Sequence, residues 1–210
     1  MVIQINTFYD ILLYRGEKYM WYLIVSILII SIIGTLSHFL YDLSHHNKIV
    51  GLFAAVNEST WEHIKIALTP TLLWGLVDGI TFGANPNYFL AKSVSLISII
   101  LLMPLLFYGH KLIVKKDCFI FDIISFYIVI ICSQLAFYFL LKIPAIPFVL
   151  QYLSCVVMFI IFGCYMVFTL LPLKNFIFKD PLTNDYGYTA HSEMCSITKK
   201  KNKNNTKKQK

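Results

Sequence analysis

Five long apolar runs separate the polar segments of this 210-residue chain, and they restrict its fold more than any other feature. They cover residues 19–40, 61–82, 88–108, 119–141 and 148–171. Each run exceeds the roughly 18 apolar residues that mark a membrane-spanning helix. Each is apolar on all sides, whereas the strands of a membrane β-barrel would alternate apolar and polar residues. The sequence therefore predicts an all-α, polytopic transmembrane helical bundle with about five spans.

Charge is scarce and unevenly placed along the chain. Only 14% of the residues are charged, against about 25% in a soluble domain. The net charge of +7 is carried by the last twelve residues, which hold seven lysines and no acid. We expect an interfacial or flexible lead at 1–18, a transmembrane domain at 19–172 and a cytoplasmic tail with a polylysine end at 173–210.

The basic tail indicates which partners to expect. Lysines at a membrane surface attract anionic lipid headgroups. Nucleic-acid binding would need arginines and interleaved aromatic residues on a folded basic face, and the tail has neither. We therefore expect the lipid bilayer and anionic headgroups as partners and no nucleic acid, while the sequence identifies no protein partner.

The lysines outside the spans also predict an orientation. The N-terminal lead and the turns at 83–87 and 142–147 lie on one side and carry few basic residues. The connections at 42–60 and 110–118 and the tail lie on the other side and carry many. The positive-inside rule then predicts a multi-pass cell-membrane protein with its N-terminus outside and its C-terminus in the cytoplasm. On this topology the connection at 42–60 and the tail share a face and can meet.

The stretch from residue 34 to residue 66 gathers polar side chains that a membrane anchor does not require. His38 and Asp42 are four residues apart, so they lie on one helical face about one turn apart. Glu58 and Glu62 have the same spacing, and His63 follows directly. The candidates for binding a cation or a polar headgroup are His38, Asp42, Asn57, Glu58, Glu62 and His63.

Imidazole and carboxylate groups from neighbouring helices can form a metal site in a bundle. A divalent metal is therefore a candidate cofactor, although neither HExxH nor ExxH is present. The hypothesis assigns His38, Glu58 and His63 as ligands or proton carriers. Asp42 or Glu62 would orient a histidine through its second ring nitrogen. Asn57 and Trp61 would position the ligand.

A purely structural role explains part of the same stretch. Ser59 and Glu62 fit a capping box, in which Ser59 accepts from the backbone of Glu62 and the Glu62 side chain returns to the backbone of Ser59. Asn57 can cap the helix equally well. Trp61 has the position of an interfacial aromatic residue.

Ionisable residues inside the spans are costly and suggest function by default. Lys65 is expected to extend to the interface. Asp78 is expected to contact water or Lys92, and Asp122 to pair with Lys115 or Lys116. A small transporter that uses Asp78, Lys65 and Lys92 is therefore an alternative function. No motif indicates nucleotide binding or a serine nucleophile.

Two segments carry a family resemblance: SHFLYDLSHHNKIVGLFAAVNESTWEH and the late DPLTNDYGY. They resemble an uncharacterised bacterial multi-pass membrane protein family with the motifs HFLY-[DE], VNES-x-WEH and D-P-x-T-x-x-Y-G. The resemblance covers roughly residues 30–190. It implies a small integral protein of the bacterial inner membrane whose polar residues form a shared site, and it implies no activity. A non-enzymatic membrane interaction module and a metal-assisted membrane enzyme both remain open.

Overall fold

A computed structural model describes the backbone of residues 2–114 and 119–190 and the side chains of residues 19–114 and 120–190. The helices in these ranges are α1 (Val2–Leu43), α2 (Lys48–Gly51), α3 (Thr60–Phe82), α4 (Tyr88–Val114), α5 (Phe119–Leu140) and α6 (Phe148–Leu170). Five of them are long and apolar enough to cross a membrane. The prediction of an all-α bundle with about five spans is confirmed.

The observed helices agree with the predicted spans most closely at their N-terminal ends. Helices α3 to α6 begin at the predicted residue or one residue before it, and α4 continues past its predicted end to Val114. Helix α1 runs without a break from Val2, so the predicted lead at 1–18 continues into the first span, which starts at Tyr19.

Helix α4 lies at the centre of the bundle, where it contacts α3, α5 and α6, while α1 packs against α3 and α5. Small polar side chains join these helices. Ser95 and Ser133 hydroxyls lie 2.7 Å apart between α4 and α5, and Ser93 donates to the backbone oxygen of Ser154 across α4 and α6. Small hydroxylic residues allow helices to approach closely in lipid and supply hydrogen bonds between them. The outer surface is apolar, as at Ile80, which is 90% exposed.

A buried ion pair connects three of the spans. Asp78 of α3 is fully buried and accepts hydrogen bonds from Lys92 of α4 at 2.7 Å and from Tyr22 of α1 at 2.6 Å. The Lys92 ammonium also lies 5.4 Å from the centre of the Phe137 ring on α5. The predicted contact between Asp78 and Lys92 is confirmed. It serves to join helices, since each charge has its partner inside the protein.

We expect Lys92→Met to lower the free energy of unfolding by about 3–5 kcal/mol, because it leaves the Asp78 carboxylate buried without its cation. The double variant Lys92→Met/Asp78→Asn removes both charges and should recover a large part of that loss. Thermal unfolding of the detergent-purified protein measures both effects. Equal stability of the single and double variants would contradict the pairing.

Gly34 allows α1 to approach α3 and α5 closely. A Cβ atom at this position would lie 2.6 Å from Cζ of Phe126 and 2.8 Å from the backbone oxygen of Ile66. We therefore expect Gly34→Ala to lower the free energy of unfolding by about 1–3 kcal/mol through overpacking. Gly163→Ala is the matched control, because a Cβ there meets nothing within 4 Å. If the two variants unfold at the same temperature, the close approach at Gly34 is wrong.

Candidate functional site

Three of the predicted site residues come together at one end of the bundle. His38 belongs to the end of α1, Glu58 to the connection before α3, and His63 to the first turn of α3. Nε2 of His38 lies 3.6 Å from Oε1 of Glu58, and Nε2 of His63 lies 3.9 Å from Oε2. The two imidazole rings are 6.0 Å apart between centroids. We call these three residues the His–Glu–His cluster.

The orientation of His63 is set by the backbone of its own helix start. Nδ1 lies 3.0 Å from the backbone oxygen of Ser59, and a carbonyl oxygen only accepts, so Nδ1 carries the hydrogen. In the neutral imidazole, Nε2 is then an acceptor, and it faces the Glu58 carboxylate at 3.9 Å. In that neutral form, two acceptors face each other across a gap wider than a hydrogen bond.

His38 differs from His63 in the environment of its Nδ1 atom. Nδ1 of His38 is buried and has no hydrogen-bond partner among the described residues. Its Nε2 is 3.6 Å from Glu58, which is too long for a direct hydrogen bond. The cluster is thus assembled and partly open, since the Glu58 side chain keeps 38% of its exposure.

The cluster opens on a cavity of about 570 Å³, within the range of about 300–1,000 Å³ that is usual for ligand pockets. Its walls come from α1, α3, α4, α5 and the segment after α6. Besides the three cluster residues, the described lining consists of Thr35, Phe39, Ile66, Phe107, Asp122, Ile123, Phe126, Tyr127, Pro181 and Leu182. Aromatic and aliphatic side chains dominate. This described lining has two carboxylates, Glu58 and Asp122, and no lysine or arginine.

The second glutamate of the stretch has a structural role. Oε2 of Glu62 accepts from the backbone nitrogen of Val56 at 2.9 Å and lies 2.5 Å from Nζ of Lys65. Lys65 also donates to the backbone oxygen of Gly51 at 2.9 Å. Lys65 is 0% exposed, because the connection between α1 and α3 covers it and Glu62 neutralises its charge. The expectation that Lys65 extends to the interface is therefore wrong.

Of the two hydrogen bonds predicted for the capping box, one is confirmed and the other is replaced. Ser59 is the N-cap of α3, and its hydroxyl accepts from the backbone nitrogen of Glu62 at 3.4 Å. The return bond from Glu62 to Ser59 is not made, because the backbone nitrogen of Ser59 donates to Oδ1 of Asn57 at 2.8 Å. The Glu62 carboxylate is thereby left to bind Val56 and Lys65.

Asp42 contacts a histidine that is not part of the cluster. Its Oδ1 lies 3.3 Å from Nε2 of His46. After α1 ends, His45 and His46 adopt positive φ angles of 55° and 63°. This left-handed turn brings His46 back onto the last turn of α1. The histidine that Asp42 orients is therefore His46.

The segment after α6 packs over the start of α3. Trp61 stacks on Phe178 with ring centroids 4.9 Å apart, and its backbone nitrogen donates to the oxygen of Ile177 at 2.9 Å. Asn57 donates from Nδ2 to the backbone oxygen of Gly187 at 3.0 Å. The expectation that the DPLTNDYGY segment and the polar stretch share a face is confirmed by these contacts. Trp61 lies at the start of the second span and is buried beneath this segment.

Tyr188 fastens the same segment to the connection. Its hydroxyl donates to the backbone oxygen of Lys48 at 3.0 Å. Burial raises the pKa of Tyr188, with smaller contributions from Tyr41 and the charge of Glu62. The phenol therefore keeps its proton and its role as a donor at neutral pH.

Sequence reasoning missed the wall that α5 provides. Phe126 and Tyr127 line the cavity beside the cluster, and the Tyr127 hydroxyl lies 3.1 Å from that of Thr35 on α1. Within an apolar run, these residues look like any other part of a span. Asp122, in the first turn of α5, is the one residue of this wall that the sequence marked, and its predicted lysine partners lie outside the described residues.

The spacing of the histidine and carboxylate side chains can be compared with that of a metal site. Across the described ranges, no group of three or more histidine, cysteine, aspartate or glutamate residues is arranged to hold a metal ion. Two ligands bound at about 2.1 Å to a tetrahedral metal are about 3.4 Å apart. The separation of 3.9 Å between His63 and Glu58 is wider than this.

Five apolar spans define an integral membrane protein, and its His–Glu–His cluster faces a cavity that is large enough for a ligand. The chain belongs to a family of unknown function, DUF6512, whose model matches residues 13–188. No curated protein and no solved structure matches the chain.

Substitution of the two glutamates is expected to change the stability of the protein to very different extents. Glu62→Ala leaves the Lys65 ammonium buried and unpaired, so we expect the free energy of unfolding to fall by about 3–5 kcal/mol. Glu58→Ala removes a partly exposed carboxylate and should change it by no more than about 0.5 kcal/mol. Unfolding of the two variants in the same detergent makes the comparison. A larger loss for Glu58→Ala than for Glu62→Ala would refute the assignment of roles.

Proposed function

We propose that this integral membrane protein binds a positively charged group between His38, Glu58 and His63, at the polar end of the cavity. The observation that carries the proposal is that Nε2 of His63 and Oε2 of Glu58 face each other 3.9 Å apart, which makes them a pair of acceptors when the imidazole is neutral. Such a pair gains most when a cationic donor lies between its members, because charge-assisted hydrogen bonds are the stronger kind.

The surroundings of the cluster support a cation over an anion. Lys65 is committed to Glu62 at 2.5 Å, so it does not neutralise Glu58. An anionic headgroup would therefore meet the Glu58 carboxylate, whereas a cation would be attracted by it.

The tail and the orientation form a second part of the proposal. The distribution of lysines supports a cytoplasmic C-terminus and an outer N-terminus. Since residues 177–187 contact the start of α3, the cluster would then face the cytoplasm. The lysine-rich end would bind anionic headgroups there. A bacterial inner membrane is the compartment that the resemblance implies.

The contacts of the charged residues in the spans do not favour the alternative of a small transporter. Lys65 pairs with Glu62, and Asp78 pairs with Lys92 and Tyr22. These charges hold the connection and the spans together. An exclusively structural module accounts for Glu62 and Asn57, but it gives no reason for two imidazoles beside a partly exposed carboxylate.

Titration of the purified full-length protein with a small cation tests the proposal. We expect methylammonium chloride, at constant ionic strength, to shift the ¹⁵N ring resonances of His38 and His63 in a saturable way. Glu58→Gln should weaken this binding by about 10–100-fold, as expected for loss of a hydrogen bond to a charged group at about 1.5–3 kcal/mol.

Asp42→Asn is the matched control, since it removes a carboxylate that pairs with His46 at the end of α1. It should bind methylammonium as the wild-type protein does. The proposal fails if the rings of the wild-type protein show no saturable shift, or if Glu58→Gln binds as tightly as Asp42→Asn.

A further inference from the structure

We infer that the positively charged group is the primary ammonium of an amphiphile whose aliphatic chain occupies the cavity. This inference rests on the proposed function at the same cluster and adds the chemical class of the ligand. It joins two independent observations: the hydrogen-bonding pattern of the cluster, and the size and composition of the space beside it.

The hydrogen-bonding pattern fits a primary ammonium. Such a group has three N–H donors and no acceptor. The two oxygens of Glu58 and Nε2 of His63 provide three acceptors, and the gap of 3.9 Å allows one nitrogen to lie within about 3 Å of both residues. A quaternary ammonium has no N–H and would leave these acceptors without donors.

The cavity is much larger than a lone ammonium group requires. At about 570 Å³, it has room for a ligand of drug size. Its walls beyond the cluster include Ile66, Ile123, Phe126 and Leu182. Apolar side chains of this kind stabilise an aliphatic chain by burying its surface, and aromatic faces near the polar end also favour a cation.

The position of the cavity explains how such a molecule would reach it. Helices α1 and α5 both line the cavity, and two of its lining residues, Phe39 and Ile123, are exposed. An amphiphile dissolved in the bilayer would therefore meet the cavity from the side, with its charged end at the level of the helix ends.

Two sources supply the same chemistry, a free long-chain amine and the ethanolamine headgroup of a phospholipid. In both, a primary ammonium is attached to an aliphatic body. A headgroup with phosphate alone lacks the cation and would meet the carboxylate of Glu58. The inference is therefore limited to ligands that carry the ammonium.

The test compares dodecylammonium, dodecyltrimethylammonium and methylammonium on the full-length protein in phosphatidylcholine nanodiscs, with the His38 and His63 resonances as the readout. We expect dodecylammonium to bind at least about tenfold more tightly than each of the other two. Because the bilayer itself concentrates long chains, variants of the cavity wall are needed to separate binding from partition.

Ile123→Trp narrows the cavity without changing the cluster. It should weaken dodecylammonium binding at least about tenfold and leave methylammonium binding within about twofold. Leu105→Trp is the control, since Leu105 is an exposed apolar residue outside the cavity lining, and it should bind both as the wild-type protein does. If Ile123→Trp does not fold, Leu182→Trp narrows the cavity from the tail side.

A second experiment distinguishes the two sources of the ammonium group by replacing part of the phosphatidylcholine with phosphatidylethanolamine. Shifted histidine resonances before any amine is added would identify the phospholipid headgroup. A response to dodecylammonium alone would identify a free amine. Either result supports the ammonium class.

Three results would overturn the inference while the proposed function stands. Methylammonium would bind, but dodecylammonium would bind no more tightly, or the trimethyl compound would bind as tightly as dodecylammonium, or both wall variants would leave the affinity for dodecylammonium unchanged. Absence of a saturable response of the wild-type protein to methylammonium would instead refute the proposed function itself.

Discussion

The buried ion pair between Lys65 and Glu62 is the interaction on which the polar end of the bundle depends. A charge removed from water is tolerated only where a partner and hydrogen bonds compensate its lost hydration. Here the lysine also binds the oxygen of Gly51, and the glutamate binds the nitrogen of Val56. The pair therefore ties Gly51 and Val56, two points of the chain between α1 and α3, to the first turns of α3. With that connection fixed, Glu58 is held at the edge of the cavity, beside imidazoles from two helices.

The segment after α6 also holds the connection before α3 in place. Irregular backbone at the edge of a membrane needs hydrogen-bond partners from the protein. The contacts of Asn57 with Gly187 and of Trp61 with Ile177 and Phe178 provide such cover. The same segment contributes Pro181 and Leu182 to the cavity wall. The candidate site thus combines residues of the spans with residues of the segment after α6.

The spans were predictable from the sequence because their hydrophobic length is a local property, and their N-terminal boundaries were predicted almost to the residue. The nearness of His38 and His63 was predictable in part, since the end of one span and the start of the next lie at the same membrane face. The pairing of Lys65 with Glu62 was not predictable from the sequence. Snorkelling is the usual outcome for a lysine near a helix end, and only the folded connection shows that water is excluded there. The cavity depends on the distance between α1 and α5, which the composition of the apolar runs does not reveal.

Glu58 and Glu62 show how two identical side chains four residues apart acquire different roles. Glu62 lies under the connection, where Lys65 neutralises its charge at 2.5 Å. Glu58 precedes the helix and remains partly exposed, and its partners among the described residues are imidazoles at 3.6 and 3.9 Å. Because the nearby lysine is committed to Glu62, the negative charge of Glu58 is available to a ligand. On the proposed function, the structural ion pair therefore sets the sign of the charge that the cavity would attract.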